Sequence, residues 1–258
     1  MTLSAFILGQ PRYSASTPWR PGWAIAAAVL MFLAAQFVAA ALFPWIEEVS
    51  PSQLPPTSGS PTSIEPGAIE ALMVWLLLIQ VTVVALVLVA ASLFGGDFRR
   101  VLQLDHIDGG ARSIGYAILL MAVLLGAFNI LVYVLGQSEI LADMQLYAAF
   151  MHSDSWAVAA VAIGLGAPLM EELLFRGFLL SALAQTRFGF PAASVLTTLA
   201  WAALHWGYSF VGLLEVCLVG LYFCWLLWRT GSLWPALICH AAYNSFLMLL
   251  LRFVDIPT

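Results

Sequence analysis

Ala167-Pro168-Leu169-Met170-Glu171-Glu172-Leu173-Leu174-Phe175-Arg176-Gly177 sets two adjacent carboxylates and a guanidinium inside a run that is otherwise apolar from Trp156 to Leu183. Each ionised group in hydrocarbon costs roughly 2.5–3.5 kcal/mol on insertion scales. A helix bearing three of them is therefore a pairing device or a site. Glu172 and Arg176 stand four residues apart, on one helix face, where they can neutralise each other. Glu171 lies about 100° round the helix and needs a partner from elsewhere. That unmatched carboxylate is the first sign of chemistry.

The surrounding composition fixes the class. Of 258 residues, 62% are hydrophobic and 9% charged, with a mean hydropathy of +0.96. A soluble domain of this length could not bury so much apolar surface, so the chain reads as a polytopic membrane protein. Spans are expected over 23–43, 68–94, 113–135, 156–185, 191–206, 210–228 and 235–253, giving an all-α bundle of about seven transmembrane helices. Residues 44–67 and 136–155 read as loops, both acidic. Three parts follow: a cytosolic tail over 1–22, a three-helix membrane region over 23–153 and a membrane core over 154–253. Pro168 is expected to forfeit the bond to the Gly164 carbonyl, bend its helix and open a wet pocket just before the carboxylates.

Charge placement gives the orientation. All nine basic residues are arginines, and Arg12, Arg20, Arg99, Arg100, Arg112, Arg187 and Arg229 fall at alternate span ends. The positive-inside rule puts those ends and the N-terminus in the cytosol, with Arg252 at an outer end. The expected setting is the plasma membrane of a bacterium. The net charge of −5 and the lack of a basic cluster exclude a nucleic-acid partner. Cys217, Cys224 and Cys239 sit in apolar helices without metal spacing and read as small buried hydrophobes. Met1 to Trp19 has no long apolar core, so no cleavable leader is expected.

His205, His240 and Asn244 share the problem posed by Glu171. Each is a polar group inside a later span, and His240 and Asn244 lie four apart on one face. In lipid the available partners are one another or trapped water, so a central polar cluster is expected. A carboxylate shielded from bulk water can act as general base on a water held by an imidazole. An imidazole N–H and an asparagine amide can stabilise the oxyanion formed when that water attacks a peptide carbonyl. Glu171 and His205 fit the first role, and His240 and Asn244 the second. Glu171, His205 and His240 are also credible zinc ligands, although their spacing does not match the paired histidines of common zinc proteases. Glu215 reads as paired with a neighbour or interfacial, and His106 and His152 as solvated loop residues.

At these residues the chain resembles the CPBP intramembrane endopeptidases, a family that includes CAAX-prenyl proteases and bacterial bacteriocin-processing or immunity proteins. The family pattern EExxxR, FxxxH and HxxxN is similar to Glu171-Glu172-Leu173-Leu174-Phe175-Arg176, Trp201-Ala202-Ala203-Leu204-His205 and His240-Ala241-Ala242-Tyr243-Asn244. Arg229 to Pro235 also looks like the family's lead-in to its third motif. Trp201 departs from the usual Phe but keeps an aromatic one turn before His205. The resemblance covers about 155–250 and leaves the first three spans without a counterpart. It implies that Glu171 and His205 activate a water, that His240 and Asn244 form the oxyanion hole, and that Glu172 with Arg176 supports the site. It also implies a mechanism without cofactor, with zinc as the alternative.

Three function classes fit: an intramembrane endopeptidase cutting near the cytosolic face, a non-proteolytic immunity or scaffold protein on the same fold, and a proton-relaying transporter. The intact set of six motif residues favours the enzyme, and no paired, interrupted halves support the transporter. The expected partners are the bilayer and a peptide or membrane-protein substrate, lipidated or not.

Overall fold

The computed structural model describes residues 2–47, 66–107, 109–137 and 139–254. Among these there are helices and no strand: α1 (Leu3–Leu8), α2 (Pro21–Glu47), α3 (Pro66–Ser92), α4 (Phe98–Val101), α5 (Gly110–Val134) and α6 (Glu139–His152). A continuous central helix α7 (Trp156–Leu183) follows, then α8 (Gly189–Ala203), α9 (Phe210–Thr230) and α10 (Trp234–Phe253). Six of them (α2, α3, α5, α7, α9 and α10) are long and apolar enough to cross a membrane. The chain is an all-α, multi-pass membrane bundle. The fifth expected span is the exception: α8 has 15 residues, about 22 Å at 1.5 Å per residue, against a hydrocarbon core of about 30 Å.

The peripheral helices are apolar all round and sort their faces by size. In α2, Ala24, Ala28, Met31, Ala35 and Ala39 form a buried seam at helical spacing, while Val29, Leu30, Leu33 and Phe37 face outward. Small residues let backbones approach where lipid supplies no hydrophobic drive, and this seam packs on α3. α7 is the opposite case. From Met170 to Leu183 every residue is buried, the three charged ones included. The bundle is built around the helix that carries them.

Three loop readings are corrected. α2 runs through Pro44 to Glu47, so only 48–65 of the expected 44–67 loop remains, outside the described residues. The acidic segment 136–155 holds a 14-residue helix, α6, with His152 as its last residue. Its acidic side chains obscure an inward face of Ala148, Phe150 and Met151, all buried. His106 lies in an exposed loop, as expected.

The amino-terminal segment is docked. Phe6 is buried against Tyr116 and Trp225, and the Arg229 guanidinium donates to the carbonyls of Ala5, Phe6 and Gly9. Arg12 and Tyr13 donate backbone N–H groups to the Trp228 carbonyl at 3.1 and 3.2 Å. Trp19 Nε1 donates to the Ala90 carbonyl at 2.8 Å. Burial pushes the Tyr13 phenol up to about 12. Arg229, read as a loop charge, is buried in the last turn of α9.

Candidate active site

Pro168 shapes the first wall. It has no N–H, so the turn before it cannot close in the ordinary way. Rather than a simple bend, the helix widens to a π-form over Ala162–Gly166, with the Ala167 N–H reaching back to the Ala162 carbonyl. The wide turn leaves carbonyls short of backbone donors, and a neighbouring helix supplies them. Asn244 Nδ2 donates to Ile163 O at 3.0 Å, and Ser245 Oγ to Gly164 O at 3.3 Å, both from α10. The Ala162 carbonyl, which already takes the Ala167 N–H, also accepts Gln80 Nε2 of α3 at 3.0 Å. A π-turn inside a helix commonly marks a functional site. Here it couples α7 to α10 at the residue of the third motif.

One turn on, the carboxylates divide. Glu172 is fully buried, and its Oε1 accepts Arg176 Nη1 at 3.0 Å and His240 Nδ1 at 2.9 Å. The expected Glu172–Arg176 pair is therefore present, with His240 as an unexpected third member. Glu171 takes its partner from α8: Trp201 Nε1 donates to Oε2 at 2.6 Å. His240 Nε2 stands 3.8 Å from the same oxygen. The Arg176 guanidinium lies over the Trp201 ring, 4.3 Å from its centroid, in cation–π contact.

His205 sits just past the end of α8, in a turn where its N–H bonds Ala202 O at 2.9 Å and its carbonyl accepts the Tyr208 N–H at 2.9 Å. Its Nδ1 lies 3.1 Å from Trp201 O. A carbonyl can only accept, so Nδ1 carries a proton, and in the neutral ring Nε2 is the acceptor. The short length of α8 thus places an imidazole at its end.

Glu171, His205, His240 and Asn244 line one cavity of about 420 Å³. Glu172 and Arg176 do not line it; they stand behind Glu171 and His240. The remaining wall is supplied largely by α3 (Leu72, Met73, Leu76) and α6 (Asp143, Met144, Tyr147). Residues before 154, which the motifs leave unassigned, thus close the site.

α6 is fastened across this cavity. Asp143 accepts the Ser209 N–H at 2.8 Å and the Ser209 hydroxyl at 2.6 Å, and Ser209 caps α9 through the Gly212 N–H at 3.1 Å. Tyr147 and Tyr208 share a hydrogen bond of 2.5 Å between hydroxyls. Burial pushes both phenols above their ordinary range, so both stay neutral. Glu215 also lines the cavity and is paired as expected, accepting Asn129 Nδ2 at 3.3 Å and the Tyr243 hydroxyl at 3.1 Å. Trp201, α6 and the tyrosine pair were not legible as site components. The only advance signal was an indole, a potential donor, where the pattern has a phenyl ring.

Among the described residues, no three His, Cys, Asp or Glu side chains gather as a set that could hold a metal ion. Trp201 and Glu172, neither of them in the expected zinc set, occupy Glu171 Oε2 and His240 Nδ1. The three cysteines are free thiols.

A family model described as Type II CAAX prenyl endopeptidase Rce1-like matches residues 153–246. No curated protein and no solved structure matches the chain. The matched stretch contains all three motifs, in agreement with the CPBP resemblance. At the family level it supports a CAAX-protease-like intramembrane endopeptidase.

Proposed function

We propose that the chain hydrolyses a peptide bond within the cavity by means of a water activated by Glu171. The observation that carries this reading is the convergence of Glu171, His205, His240 and Asn244, from three helical segments, on one cavity inside the family-matched region. In this reading the water donates one hydrogen bond to His205 Nε2 and one to Glu171. Glu171 takes the proton as the oxygen attacks the carbonyl carbon. The oxyanion meets the second Asn244 amide N–H, the first being held by Ile163 O. With a proton on each nitrogen, His240 is tied to Glu172 through Nδ1 and offers Nε2–H as the second donor. Glu171 then passes its proton to the leaving amine, which completes hydrolysis.

Purified protein in detergent, given fluorogenic peptides with and without a farnesyl group, is expected to cleave at least one and to keep that activity after exhaustive chelation. Cleavage abolished by chelator, together with one zinc per chain by elemental analysis, would replace the water mechanism with a metal one. Failure to cleave any peptide of either set, with the protein folded, would favour the immunity or scaffold reading.

The orientation is proposed from arginine placement. A reporter fused after Arg100 is expected to read as cytosolic and one fused after Gln137 as external. The opposite pair of readings would move the site to the other face.

A further inference from the structure

Glu171, Trp201, Arg176, Glu172 and His240 form a closed circuit of contacts. The Trp201 N–H is on Glu171 Oε2, and its ring face lies against the Arg176 guanidinium. Arg176 and His240 meet on Glu172 Oε1, and His240 Nε2 returns to Glu171 Oε2 at 3.8 Å. Trp201 is the one member with no titratable group, and it touches Glu171 and Arg176 at once. Arg176 Nε and Nη2 are buried without a hydrogen-bond partner among the described residues. The indole face is what meets that guanidinium. A cation over the ring draws electron density from it and strengthens N–H donation at the edge. The two contacts therefore reinforce each other.

We infer that Trp201 is the positioning residue for Glu171, its indole N–H clamping Oε2 so that Oε1 is turned to the cavity. A Glu side chain has three rotatable bonds, and general-base catalysis needs one oxygen held within hydrogen-bond reach of the water. A phenyl ring at 201 would fill the space and leave Oε2 without that donor. The positioning role rests on the reading of Glu171 as the base; the hydrogen bond itself does not.

The test uses the full chain in nanodiscs, labelled with ¹⁵N at the tryptophan indoles. The Trp201 resonance is identified as the one lost in Trp201→Phe. In the wild type it is expected downfield of the other indoles, as for a donor to a carboxylate. It should move upfield in Glu171→Gln, whose amide oxygen accepts more weakly, and further in Glu171→Ala. In cleavage assays on a fluorogenic peptide, Trp201→Phe should lower kcat on the order of 10- to 100-fold, the worth of a hydrogen bond to a charged group, with KM unchanged. Benzothienylalanine at 201 keeps ring, volume and cation contact while replacing N–H by sulfur, and should show the same loss even where the Phe variant folds poorly. An indole resonance that ignores both Glu171 substitutions, in protein that cleaves, overturns the bond and leaves the protease reading standing. Full kcat with benzothienylalanine overturns the positioning role. A folded wild type that cleaves nothing, with the indole still answering to Glu171, refutes the protease reading and the role that depends on it.

Discussion

Glu171→Gln is expected to lower kcat by roughly 10²–10⁴-fold, the usual worth of a general base, in protein that folds and still binds peptide. The substitution is close to isosteric, and a Gln side-chain oxygen can still accept the Trp201 N–H that reaches Glu171 at 2.6 Å. What it removes is the capacity to take a proton. His205→Ala should cost a comparable factor, and the double variant little more than either, because groups acting as one unit are not additive. The check is turnover of one peptide by all three variants at matched thermal stability. A Glu171→Gln protein within tenfold of wild type would remove the base from this residue. Strict additivity of the two losses would mean that Glu171 and His205 do not share a water.

Arg176→Ala is expected to act through the fold first and through activity second. Glu172 is fully buried, and Arg176 Nη1 is its cationic partner at 3.0 Å. Removing one member of a buried pair leaves a charge without compensation, at a cost of about 3–5 kcal/mol. The guanidinium also stacks on Trp201 at 4.3 Å and lies 5.7 Å from the Phe223 ring centroid, so a void opens beside both. The variant should accumulate poorly and unfold at lower temperature in detergent, and the fraction that folds should cleave slowly. Normal accumulation with an unshifted melting point would show that Glu172 does not depend on Arg176.

The parts legible in the sequence were those governed by local spacing or by the cost of burial. Run length located the spans, and the four-residue offset gave the Glu172–Arg176 pair. The expense of a lone polar group in lipid gathered Glu171, His205, His240 and Asn244 around one cavity, although nothing in their spacing says which bonds they make. The parts that were not legible depend on partners far along the chain. Trp201 meets Glu171 across 30 positions, and a tryptophan in an apolar run reads as filler. α6 was hidden because its acidic residues and 14-residue length resemble a loop between spans. Pro168 announced a broken turn, but a wide turn in place of a bend goes with Asn244 and Ser245, which have to be in reach of the freed carbonyls.

The docked amino-terminal segment bears on how such a protein is handled at the bench. Arg229 is 5% exposed because three carbonyls of residues 5–9 receive its donors. Trimming residues 2–14 to shorten an expression vector would remove the carbonyls that receive the Arg229 donors and strip the cover from Tyr116 and Trp225. A purification tag joined close to Leu3 would compete for the same groove. Affinity handles and fluorescent fusions therefore belong after Phe253, where α10 ends, and a preparation that aggregates after amino-terminal cleavage has lost a piece of its core rather than a loose end.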